Sequence, residues 1–146
     1  MARYISSVRT SRSNVDAFEY MADLKNFERW DPGVHGVTQV DGDGAGSGAS
    51  FDVVVDALGR GLTLRYHTTY FDPPRKVVIE ARSRLLTSID QIDVREDDTS
   101  TVVTYDASLT LNGPLRVFDL VLRPIFNRIG DRAETGLLRV LDGQPA

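Results

Sequence analysis

The sequence predicts an α+β domain in which a curved antiparallel sheet packs around one long C-terminal helix. Three observations carry this. Residues 15–22 repeat apolar side chains at helical spacing, and from Gly36 to Leu111 the period changes from about 3.6 to about 2 in successive runs. Residues 114–140 then return to helical spacing over a longer stretch. In the alternating runs one face is apolar and the other polar, so the apolar face needs a cover, and the last helix supplies it.

The first element is a strand over residues 4–10 (YISSVRT), rich in β-branched residues. Ser13 then reads as an N-cap, with Asp16 in the first helical turn. Val15, Phe18 and Met21 or Ala22 follow on one helical face. A second short helix covers residues 24–28 and brings Phe27 near Trp30, the only tryptophan. It ends before Pro32, whose ring disfavours helix in the preceding residue.

Six strands follow. GVTQVDGDG is a strand entering a glycine-rich hairpin loop. SFDVVVDAL sets Phe51, Val53 and Val55 on one face, and LTLRYHTTYF sets Leu62, Leu64 and Tyr66 on one face. KVVIEARS aligns Val77, Ile79 and Ala81, SIDQIDVRE comes next, and TVVTYDASLTL aligns Val103, Tyr105, Ala107, Leu109 and Leu111. The links LGRG (residues 58–61), DPP and EDDTS are short turns, as in a meander. In the closing helix Pro114 suits the N-terminus. Leu115, Phe118, Leu122, Ile125, Phe126, Ile129, Ala133, Leu137 and Val140 form one stripe that faces the sheet. Pro124 should kink it. The expected total is seven strands in a single domain over residues 1–146.

Composition narrows the function. A chain of 146 residues is long enough to bury a core without staples. The absence of cysteine excludes disulfides, zinc–cysteine sites and a cysteine nucleophile. Acidic residues outnumber basic ones 21 to 17, for a net charge of −4. This balance argues against general affinity for nucleic acid or an anionic membrane surface. No apolar run reaches the roughly 20 residues that span a bilayer, and the N-terminus lacks a secretory signal. A cytoplasmic location is therefore expected.

Several motif look-alikes fail on chemistry. DGDGAGSG has Asp41 and Asp43 but neither a third oxygen ligand at Ala45 nor the closing glutamate of a calcium loop. It precedes a strand, so it also lacks the helix N-terminus of a phosphate loop. No serine has the Gly-x-Ser-x-Gly frame. His35 falls in a turn and His67 on a polar strand face, so they are not expected to converge on a metal.

The stretches VDAFEYMADLKNFERWDPGV, TTYFDPPRKVVIE and STVVTYDASLTL, with the Arg/Leu-rich closing helix, resemble the START-related, birch-pollen-allergen-like (SRPBCC) superfamily, and within it the polyketide cyclase/dehydrase branch. The resemblance covers nearly the whole chain. It implies a helix-grip fold with a cavity between sheet and C-terminal helix, in which members bind lipids, sterols, polyketides, quinones or hormones and some close or dehydrate aromatic rings. It implies no metal and no organic cofactor. Trp30 would sit near the cavity mouth, either as a plug for the short helices or as part of the lining. The arginines Arg65, Arg82 and Arg128 read as outward-facing, unlike the pocket arginines of aromatase/cyclases.

Within such a cavity, inward Ile92 and Val94 bring Ser88 and Asp90 inward too. An apolar pocket raises a carboxyl pKa, one route to a general acid or base. Asp90 with Tyr66 or Tyr105 is thus the candidate catalytic constellation. The same residues also fit a structural aspartate held by hydrogen bonds, or a one-residue slip that turns Asp90 to water. The expected lining from the strands is Phe51, Val53, Val55, Leu64, Tyr66, Ile79, Ile92, Tyr105 and Leu109. Trp30, Leu122, Phe126 and Ile129 would add to it from the helices. An apolar void of about 300 Å³ would cost roughly 7 kcal/mol, so ligand, water or side chains must fill it.

Three functions fit: binding of an apolar or amphipathic small molecule, cofactor-free cyclase/dehydrase chemistry, or a protein-interaction module with a collapsed cavity and an exposed apolar patch.

Overall fold

The structure, a computed structural model, describes residues 1–57 and 60–146. Eight strands form one antiparallel sheet: β1 (Ala2–Thr10), β2 (Val34–Asp41), β3 (Ser50–Ala57), β4 (Arg60–Asp72), β5 (Lys76–Arg82), β6 (Leu86–Asp97), β7 (Ser100–Leu111) and β8 (Gln144–Pro145). Their order is β2-β3-β4-β5-β6-β7-β1-β8. Between β1 and β2 lie α1 (Asn14–Ala22), a 3-10 turn (Leu24–Asn26) and α2 (Phe27–Trp30). After β7 come a 3-10 segment (Gly113–Phe118) and α3 (Asp119–Val140). The expected turn at residues 58–61 falls partly on Leu58 and Gly59, outside the described residues.

Local chemistry explains the boundaries. The Ser13 side chain accepts from the Asp16 amide at 3.1 Å and starts α1. Ala17, Phe18, Met21 and Ala22 form its buried face. Register shifts at Val34/Gly36 and Gln39/Asp41 in β2–β3, and at Thr68/Tyr70 in β4–β5, mark irregularities that bend a sheet.

The eighth strand was not expected. Asp142 adopts φ 50° beyond the α3 C-terminus, and Gly143 turns the chain against Val8 and Arg9. Ala146 then donates to the Ser7 carbonyl at 3.0 Å. A two-residue strand containing proline has no local signature, so only this docking reveals it. The long helix also starts later than expected, because residues 113–118 wind as 3-10 turns, and α3 runs on through Pro124.

The larger correction concerns the α3 stripe. Ala133 and Leu137 are buried, and Leu122, Phe126 and Val140 are half-buried. Phe118, Ile125 and Ile129 are 55%, 43% and 38% exposed, so the N-terminal half of the stripe is not covered. Two close approaches fix where α3 does pack. A Cβ at Gly130 would fall into the Tyr4 ring, and one at Gly136 would overlap the Trp30 carbonyl. Tyr4 Oη donates to Asp131 Oδ1 at 2.9 Å and Glu134 Oε2 at 2.8 Å. Arg139 donates to the Arg29 carbonyl at 2.6 Å. The helix is thus seated on β1 and α2 by its C-terminal half.

Candidate functional site

The inward face of β6 presents Ser88, Asp90, Ile92 and Val94, all buried. Cross-strand pairing sets Asp90 between Ile79 of β5 and Ala107 of β7. Tyr105 stands opposite Ile92. It reaches diagonally past the small Ala107 and donates through Oη to Asp90 Oδ2 at 2.8 Å. Tyr66 faces Ala81, which faces Ser88. With only a methyl group between them, Tyr66 Oη meets Ser88 Oγ at 2.8 Å. The expected trio of Asp90, Tyr66 and Tyr105 therefore does come together, with Ser88 as a fourth member.

Burial lifts the Asp90 carboxyl to about 7. The Tyr105 hydrogen bond opposes the rise, while the negative charges of Asp31 and Asp106 add to it. Near neutral pH Asp90 can therefore either donate or accept a proton. Burial also raises Tyr66 and Tyr105, with the Asp90 charge adding to both, so they remain neutral hydroxyls.

Asp31 was not among the expected site residues. Its carboxyl is raised by burial, and an accepted bond from the Gly33 amide, 2.9 Å long, partly offsets this. Proximity to Trp30 in the chain was the available signal. Trp30 itself is 1% exposed, packed on Phe27 at 4.7 Å between ring centroids and edge-on to Tyr105 at 5.3 Å. It thus plugs the short helices and also touches the polar cluster.

Three buried polar atoms have no hydrogen-bond partner among the described residues: Ser6 Oγ, Trp30 Nε1 and Thr68 Oγ1. Ser6 pairs with Tyr105, and Thr68 lies across Ile79 from Asp90. Ser6 and Thr68 thus lie on the inward face two strands to either side of Asp90, and Trp30 packs against Tyr105. Each such atom costs about 1–3 kcal/mol if left unsatisfied.

The expected lining divides by depth. Phe51, Val53, Leu64, Ile79 and Ile92 are buried, whereas Val55, Leu109, Leu122 and Phe126 are half-buried. Ile129 is 38% exposed although it stands one turn before the buried Ala133 on the same helix face. Two open grooves lie outside this face. One, of about 210 Å³, runs between α2 and α3 past Pro32, Arg132 and Gly136. The other, of about 370 Å³, lies beside Phe18, Ala45, Phe71 and Pro73.

The remaining candidates behave as surface groups. Arg65 pairs with Asp52 and Arg82 with Glu80, and Arg128 is exposed. His67 bonds Ser50 at 2.6 Å, while His35 lies 4.0 Å from Asp56. Among the described residues no three metal-ligating side chains cluster.

Solved structures share this architecture. A START superfamily protein from Mycobacterium smegmatis superposes with TM-score 0.77 at 12% identity, over 97% of this chain and 98% of its own. The di-domain ARO/CYC StfQ of the steffimycin biosynthetic pathway matches with TM-score 0.73 at 15% identity, over 96% of this chain and 49% of its own. The major latex-like protein 151 of Panax ginseng gives 0.60 at 10% identity, over 90% of this chain and 97% of its own. These likenesses establish the helix-grip fold. No curated protein sequence matches the chain significantly. A family model matches residues 1–141, and the chain belongs to that family, described as polyketide cyclase / dehydrase and lipid transport.

Proposed function

We propose that the protein binds an amphipathic small molecule of the lipid, polyketide or quinone kind. Its polar end would meet Asp90, Tyr105, Tyr66 and Ser88, and its apolar body would lie among Leu64, Ile79, Leu109 and Phe126. The observation that carries this reading is the buried polar group of Tyr105 on Asp90 and Tyr66 on Ser88 on the inward sheet face, with unpartnered polar atoms of Ser6, Thr68 and Trp30 to either side. Apolar packing alone gives no reason to keep these polar groups inside, whereas a ligand carbonyl or hydroxyl would pair with them. The half-buried Leu109, Leu122 and Phe126 mark the end of the face through which such a body could enter.

Native mass spectrometry followed by denaturing extraction tests the reading, with Trp30 emission as the titration signal. A co-purifying amphiphile, or saturable quenching by one of a panel of quinones and fatty acids, is the expected result. Ser88→Ala and Tyr66→Phe should each weaken that ligand about tenfold, the worth of one hydrogen bond. An empty protein with unresponsive Trp30 emission would defeat the reading.

A second reading, cofactor-free cyclase/dehydrase chemistry, is favoured by one observation, the placing of Asp90 at about 7 against a neutral tyrosine. It would have Asp90 relay a proton to or from a polyketide-like substrate, with Tyr105 holding the carbonyl. Turnover that follows a single ionisation near pH 7 and disappears in Asp90→Asn is its signature. Unchanged turnover in that variant would exclude it.

A further inference from the structure

The uncovered half of α3 forms part of a larger apolar end of the molecule. Val117, Leu120 and Val121 are 75%, 73% and 62% exposed, beside the exposed Phe118 and Ile125. The β5–β6 hairpin brings Leu85, also half exposed, to the same end. Asn112, just before the 3-10 segment, donates its amide to the Leu85 carbonyl and its side chain to the Ser83 carbonyl, both at 2.9 Å. Two separate elements are thus pinned together into one surface of large apolar side chains, of a kind that monomeric proteins rarely leave to water.

The charges of that surface are one-sided. Arg84, Arg116, Arg123 and Arg128 are exposed. Between residues 83–85 and 113–130 the only acidic residue is Asp119. The net charge of −4 therefore conceals a basic end.

We propose that this end docks on a phospholipid surface carrying anionic headgroups, with Phe118, Val121, Ile125 and Leu85 entering the acyl boundary and the four arginines meeting phosphates. Charge complementarity selects this occupant. Apolar side chains ringed by arginine match an interface that is apolar beneath and negative above. A second copy of the chain would set arginine against arginine across the contact. The docking does not depend on the ligand proposed above, and it concerns the surface rather than the buried cluster.

Co-sedimentation of the full chain with vesicles tests it, comparing phosphatidylcholine alone with phosphatidylcholine plus phosphatidylglycerol. The expected result is pelleting with the mixed vesicles only, weakening as salt rises. Each arginine near such a surface is worth about a fivefold change in binding. Arg123→Glu with Arg128→Glu should therefore lower binding about 25-fold or more. Val121→Ser with Ile125→Ser should also release the protein, and as these side chains are exposed, both variants should melt like the parent. Three outcomes would overturn the proposal: no pelleting with either vesicle, equal pelleting with phosphatidylcholine that the arginine changes leave intact, or a dimer by sedimentation that Val121→Ser dissolves without vesicle binding.

Discussion

Asp90 ties stability to pH in an unusual direction. In the fold its carboxyl sits at about 7, against about 3.9 in an unfolded chain. Between those values the folded state holds the proton more often than the unfolded one, so stability falls as pH rises. The loss begins near pH 4 and is complete just above pH 7. A shift of about three units corresponds to roughly 4 kcal/mol, an upper figure for a site this enclosed. Asp31, also raised by burial, acts in the same direction. Asp90→Asn keeps an acceptor for the Tyr105 hydroxyl and removes the titration. We expect this variant to equal the parent near pH 4 and to exceed it by about 2–4 kcal/mol near pH 8. Urea unfolding across that range measures it, and parallel curves for the two proteins would mean that Asp90 ionises like an exposed aspartate.

Among the elements, α3 depends on two residues whose value lies in having no side chain. Replacing a helical glycine by alanine normally stabilises by about 1 kcal/mol. At Gly136 the new methyl would run into the Trp30 carbonyl, a backbone atom that cannot rotate aside. Gly136→Ala should therefore destabilise by about 1–3 kcal/mol, the range for overpacking, and should move Trp30 emission as α2 shifts. A gain in stability would show that α2 gives way freely. This contact also marks the limit of what was legible beforehand. Strand alternation and helical spacing are local, so residues 15–22, the six runs to Leu111 and the Asp90–Tyr66–Tyr105 face could all be read from period. Which half of the α3 stripe would be covered could not, because Phe118 and Leu137 are alike in hydropathy and differ only in what lies opposite. Asp31 was hidden for a related reason. It is half-buried after Trp30, and what surrounds it is set by tertiary packing that no spacing encodes.

For the whole molecule, this division of α3 predicts uneven stability. The half around Ala133, Leu137 and Leu141 is held by the core, by Thr10 donating to the Leu141 carbonyl at 2.7 Å, and by Arg12 donating to the Val140 carbonyl at 2.9 Å. The half from Asp119 to Ile129 has large exposed apolar residues, and Pro124 has no amide to give the preceding turn. Local opening there should cost far less than global unfolding, so amides of residues 120–129 should exchange with solvent well before those of residues 130–140. The same half carries the half-buried Leu122 and Phe126. A ligand placed against these side chains should slow exchange in residues 120–129 and on β6 around Asp90, since binding stabilises the closed form by mass action. At a hundredfold excess over its Kd that amounts to about 2.7 kcal/mol, near a hundredfold in exchange rate. Docking on vesicles should slow the helix but leave β6 unchanged. Hydrogen exchange with an amphiphile, and separately with anionic vesicles, therefore distinguishes an occupied interior from a covered surface. Uniform exchange along α3 in the free protein would contradict the asymmetry from which both expectations follow.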